Sequence, residues 1–177
     1  MKAALALTLI LPFVTSDKQT DPWQPFTSFA SRLKFEMPKA PTEQQLQSGA
    51  GTDVRTYICE KDEIVFEAVS MEMTPDLKMA LQEASSDAEM SVSRQVIDGM
   101  LEDTLEEMQA KSSKDEYTRI QKLPCRITIA KISKERGAKL LSVIGKDHAY
   151  LFIVSYPTSE VSAKPVKRFF ESIRFEN

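Results

Sequence analysis

The apolar residues of this chain change their spacing three times, and that succession limits the fold more than any single motif. In Leu33-Lys34-Phe35-Glu36-Met37 apolar and charged residues alternate, the period of a strand with one buried face, and Pro38 and Pro41 end it. After a turn at Gly49-Ala50-Gly51, residues 54–60 and 64–73 are rich in β-branched and aromatic types. They flank the polar Lys61-Asp62-Glu63, which predicts a hairpin. Thr74-Pro75-Asp76 then offers a capping hydroxyl, a proline at the first helical position and an acid in the first turn, so a helix should begin at Pro75. Ser86 and Glu89 have capping-box spacing, and Ile97, Leu101, Leu105 and Met108 follow on one side, predicting a second helix to about Lys111. Four strands are expected at 117–123, 126–133, 139–144 and 149–156, with turns at Gly137 and Gly145-Lys146-Asp147. Val166, Phe169, Phe170 and Ile173 fall at i, i+3, i+4 and i+7 and predict a short last helix, with Pro165 tolerated in its first turn. Strands, helices, strands and a helix define an α+β fold: an antiparallel sheet with helices packed on it.

The N-terminus indicates where such a domain works. Lys2 precedes an apolar run over residues 3–14, and Val14-Thr15-Ser16 places small or β-branched residues where a signal peptidase would cut, so residues 1–16 read as a signal peptide. The run falls short of the ~20 residues that span a bilayer, and Pro12 interrupts it. No cysteine stands near the cut to carry a lipid, so the mature chain is expected to be exported, periplasmic or secreted, without a transmembrane anchor. Cleavage leaves 161 residues with 22 basic against 26 acidic side chains, enough for one core and giving no electrostatic reason to bind nucleic acid. Residues 17–30 read as a polar leader whose Trp23, Phe26 and Phe29 dock on the single domain at 31–177.

The Trp23-x-x-Phe26 opening, the strand ending in Phe35-x-Met37-Pro38-x-x-Pro41, the central helix and the closing Arg168-Phe169-Phe170-Glu171-Ser172-Ile173-Arg174-Phe175 resemble small exported bacterial proteins of the PsbP-like (DcrB-related) group. The resemblance spans most of the mature chain and implies an α/β/α sandwich built on an antiparallel sheet. It also implies accessory or partner-binding tasks more often than catalysis. Many such proteins are lipid-anchored, and this chain departs from them in lacking the cysteine. PsbP is associated with calcium and chloride retention, but no ligand residue of that kind can be matched here.

Cys59 and Cys125 are the only cysteines; in an exported chain they could pair, or each could lie buried as a small apolar group. His148 is the only histidine and reads as a turn residue, so neither a Cys-His pair nor a zinc site is expected. Glu102, Asp103, Glu106 and Glu107 would point outward if Leu101, Leu105 and Met108 point in. They form a solvated face that could dock a basic partner, while the ligand spacing of an EF-hand is missing. Met71 and Met73 could offer thioethers to Cu(I), though core packing explains them without a metal. Lys164, Lys167, Arg168 and Arg174 give the last helix a basic side, and Lys131, Lys134, Arg136 and Lys139 decorate a hairpin; neither group is a dense run with interleaved aromatics. Gly-x-Ser-x-Gly and phosphate-loop patterns are missing.

The expectation is therefore a non-enzymatic accessory or protein-binding module of the cell envelope, with no cofactor and another envelope protein as partner. The alternative is a carrier of a lipid or small apolar molecule held between sheet and helices. An enzyme would need a site that these residues do not announce.

Overall fold

A computed structural model describes residues 23–47, 52–83, 86–158 and 163–176. The signal-peptide reading, the polar start of the leader and the turn at Gly49-Ala50-Gly51 lie outside the described residues, as do the side chains of Ser86 and Glu89.

Seven strands form one fully antiparallel sheet in the order β3-β4-β5-β9-β8-β7-β6: β3 (Thr42–Gln47), β4 (Asp53–Lys61), β5 (Ile64–Glu72), β6 (Lys111–Ile120), β7 (Leu123–Lys131), β8 (Arg136–Ile144) and β9 (His148–Pro157). One face carries α1 (Pro75–Glu83) and α2 (Ser86–Glu107). The other carries α3 (Ala163–Ser172) and a second antiparallel sheet of β1 (Gln24–Ser28), β2 (Leu33–Met37) and β10 (Arg174–Phe175), in the order β1-β2-β10. The result is the expected α+β sandwich, with a small sheet added to one outer layer. Among the described residues no helix is long and apolar enough to cross a membrane.

Strict alternation in β2 and β5 sends Leu33, Phe35, Met37, Phe66 and Ala68 into one core, which Val166 and Phe169 of α3 and Ile173 just after it close. Ile97 and Leu101 of α2 meet Leu140, Ile144 and Leu151 in a second core on the opposite face. Two buried hydroxyls tie the small sheet to the large one: Tyr57 Oη donates to Ser28 Oγ at 2.8 Å, and Tyr150 Oη to the Ser31 carbonyl at 2.8 Å.

Several expectations change at their edges. The aromatic leader is not an appendage, because residues 24–28 form β1, in register with β2. Trp23 packs edge-on to Phe66 and Phe26 lies against Tyr57, but Phe29 is 83% exposed at the hairpin tip and anchors nothing. The second helix stops at Glu107 instead of Lys111. Gln109 turns left-handed at φ 50°, Ala110 N–H reaches back to the Leu105 carbonyl at 2.8 Å, and Gln109 N–H reaches Glu106 at 2.9 Å. That is a Schellman cap built without glycine. Gly137 lies inside β8, not at a turn, where a Cβ would stand 3.3 Å from the Tyr156 ring. Gly145 is at its expected turn for a steric reason, since a Cβ there would fall 2.9 Å from the Tyr150 ring.

Candidate functional site

The two faces of β4 and β5 differ in how completely they are covered. Tyr57, Cys59, Phe66 and Ala68 are buried beneath α3 and the small sheet. Their alternating neighbours Val54, Thr56, Ile58, Val65 and Glu67, on the helix side, are only half-buried. Farther along that same face, Leu140, Ile153 and Leu151 on β8 and β9 lie under the helices. Because α2 packs over β7 and β8, the β3–β5 end of the sheet projects beyond it. Leu46 extends the apolar strip onto the edge strand, directly across from Val54, and is 61% exposed.

Glu67 stands on the strip and Glu107 of α2 lies near it. Glu102, Asp103, Glu106 and Glu107 are all exposed on α2, as the helical spacing predicted. Glu67, paired in register with Ile58 and Ile153, stands on the strip itself. Burial raises its carboxyl above the usual range, and the charge of Glu107 raises it further. No cation pairs with Glu67 among the described residues. Of the acidic patch expected from sequence, Glu107 thus reaches toward this strip, whose Leu46, Val54, Ile58, Val65 and Glu67 were not anticipated. The available signal was that Val54 and Ile58 on one face alternate with Tyr57 and Cys59 on the other, although only one face has a full partner.

The other candidate residues are dispersed. Cys59 on β4 and Cys125 on β7 are both buried and both free. They face the same core, but three strands lie between them, an offset of about 19 Å at the usual strand spacing, well beyond disulfide reach. Of the two sequence alternatives, the structure has separate buried thiols. Burial pushes the Cys125 thiol up to about 11 and raises Cys59 as well, against the lowered value that a reactive thiolate needs. His148 opens β9, stacked on Tyr150 at 5.9 Å, and burial lowers its pKa. Met73 is buried and Met71 partly so, packed with Met100 and Met108 in the second core. No group of three or more His, Cys, Asp or Glu side chains suited to a metal occurs among the described residues.

The basic side of α3 is largely engaged within the fold. Arg168 bonds Glu36 at 2.7 Å and stacks over Trp23, and Arg174 donates to the Glu171 and Ile173 carbonyls. In the hairpin group, Lys139 sits over the Phe170 ring and Arg136 bonds Ser155.

A polar network absent from the sequence reading clamps α2 to the edge of the sheet. Arg126 bridges Asp98 of α2 at 2.8 Å and Asp115 of β6 at 2.9 Å, while Thr128 donates to Asp115 at 2.7 Å. Burial works to raise the Asp115 carboxyl, but hydrogen bonds from Ser112, Thr128 and Arg126 outweigh it and hold the group low. Each charge has a partner, so the network fixes the helix and leaves nothing free for chemistry.

No family model matches the sequence, and no curated protein matches it. Among solved structures, the chain is similar to the solution structure of cyanobacterial PsbP (CyanoP) from Synechocystis sp. PCC 6803, with a TM-score of 0.61 over 88% of this chain and 93% of that one, at 10% identity. At that identity the likeness is one of fold, and the fold is PsbP-like.

Proposed function

We propose that this chain is an exported, non-enzymatic module of the PsbP-like (DcrB-related) group that binds another protein of the cell envelope. The observation that carries the reading is the half-open β3–β5 face, an apolar strip of Leu46, Val54, Ile58 and Val65 that holds Glu67 and lies near Glu107 of α2. A strip of this kind is occupied when its function is exercised. Its charge selects the occupant: a segment of the partner with apolar side chains along one face and Lys or Arg beside them. The two buried thiols, three strands between them and both raised by burial, support a module that binds without reacting. The leader at residues 1–16 supports export.

The test is crosslinking of the full chain, C-terminally tagged, in cells that make it, followed by fractionation. The wild-type chain should yield one dominant crosslinked species in the envelope fraction. An Ile58→Glu/Val65→Glu variant with an unchanged circular-dichroism spectrum should lose it, and raising salt should weaken it. Capture that survives the double variant, or a chain recovered in the cytosol with its leader intact, overturns the proposal.

A further inference from the structure

We propose a second site, for a small amphipathic carboxylate, in a cavity on the helical side of the sheet at the end that holds the β6–β7 and β8–β9 turns. Leu81 and Gln82 of α1, Ser93 of α2, Lys122 to Pro124 and Ile144 to Lys146 enclose about 250 Å³. A dry apolar cavity of roughly 150 Å³ holds benzene, so this one has room for a ligand of about ten heavy atoms. It is too small for a lipid tail, which separates it from the carrier reading.

Three observations define the ligand. Ser93 is fully buried, lines the cavity, and its hydroxyl has no hydrogen-bond partner. Buried hydroxyls are normally satisfied; this one lies in the cavity wall without solvent access, so a polar atom of a guest reaches it through a small opening of that wall. Lys122 and Lys146 are exposed at the solvent side, and neither makes an ion pair among the described residues. Leu81, Leu123, Pro124 and Ile144 provide apolar wall between these polar ends. The matching guest carries an anion at one end, an apolar body, and a hydroxyl or carbonyl at the other. The acidic strip on β3–β5 repels such a molecule, so this site is chemically distinct from the protein-binding face and stands or falls independently of it.

The probe is 4-hydroxyphenylacetate, followed through the backbone amides by two-dimensional NMR on the chain without its leader. Saturable shifts should centre on Ser93, Leu123 and Lys146, with millimolar or tighter affinity. Phenylacetate, lacking the far hydroxyl, should bind several-fold more weakly, and Ser93→Ala should erase that difference. The uncharged 4-hydroxyphenylacetamide should bind about tenfold more weakly, as should the acid to a Lys122→Asn/Lys146→Gln variant, since both lysines are exposed and asparagine tolerates the left-handed φ at 122. No saturable shift around Ser93 up to about 10 mM probe overturns the site, and so does equal binding of the acid and its amide.

Discussion

Glu67 shows how burial of one acidic residue can weaken a fold. Its carboxyl is held above its ordinary pKa by burial and by Glu107, so the folded chain keeps a proton that the unfolded chain has already released. The stabilisation carried by that proton is present at low pH and is lost as the pH rises through the raised value. Glu67→Gln, neutral at every pH, should therefore increase stability at about pH 7 and change it little below about pH 4. Urea midpoints measured across that range check this, and a gain confined to acid would reverse the assignment. The same substitution should weaken capture of a basic partner. Nothing in Phe66-Glu67-Ala68 announces this behaviour, because alternation tells which side Glu67 faces but not that α2 stops short of covering it. Glu102, Asp103, Glu106 and Glu107 were legible, since a helix period alone sets which residues turn away from Leu101.

At the scale of elements, strands with one buried face were readable, while of the edge strands β3 was not and β6 was anticipated only over its last residues, from Tyr117. Every residue of β3 is exposed, and β6 is exposed over nearly all its length. Such strands are held by backbone pairing to β4 and β7, and pairing leaves no apolar period to read. β10 is a two-residue addition to β2, placed only because α3 ends beside it. The tight hairpins hide for a related reason. Asp62 and Glu63 join β4 to β5 with φ of 53° and 62°, and Gln121 and Lys122 join β6 to β7 with φ of 52° and 72°. Both pairs have the positive φ values of a type I′ turn, which normally draws Asn-Gly. Asp62→Asn/Glu63→Gly should relieve the left-handed strain and raise stability by about 0.5–1 kcal/mol, the added chain entropy of glycine offsetting part of the gain. Equilibrium unfolding in urea measures it, with an unchanged denaturant slope showing that the effect lies in the turn.

At the scale of the whole molecule, the layers are joined through a few aromatic rings. Phe169 of α3 is fully buried and lies 6.2 Å from Phe35 of the small sheet, 5.5 Å from Phe66 of β5 and 6.2 Å from Phe152 of β9. One side chain thus contacts helix, small sheet and large sheet together. Phe169→Ala should cost about 3–5 kcal/mol, because the void borders three elements that cannot all close on it. Calorimetry should still record one transition, at a lower temperature. A loss below about 1 kcal/mol would mean that α3 is not part of the common core. The opposite layer is held differently, through Ile97 and Leu101 and the paired charges of Arg126, Asp98 and Asp115, and it covers less of the sheet.

By itself the sequence determined the class of fold, the hairpin of β4 and β5, the start of α1 and the buried seam of α3. Each follows from the period of apolar residues or from a local cap, and both are properties of neighbours in the chain. Tertiary structure alone decided that three strands lie between Cys59 and Cys125, that β1 belongs to the body, and that one end of the sheet projects beyond α2. Strand order and helix placement come from how separate elements share limited apolar surface, and no local pattern encodes which surface is left without cover.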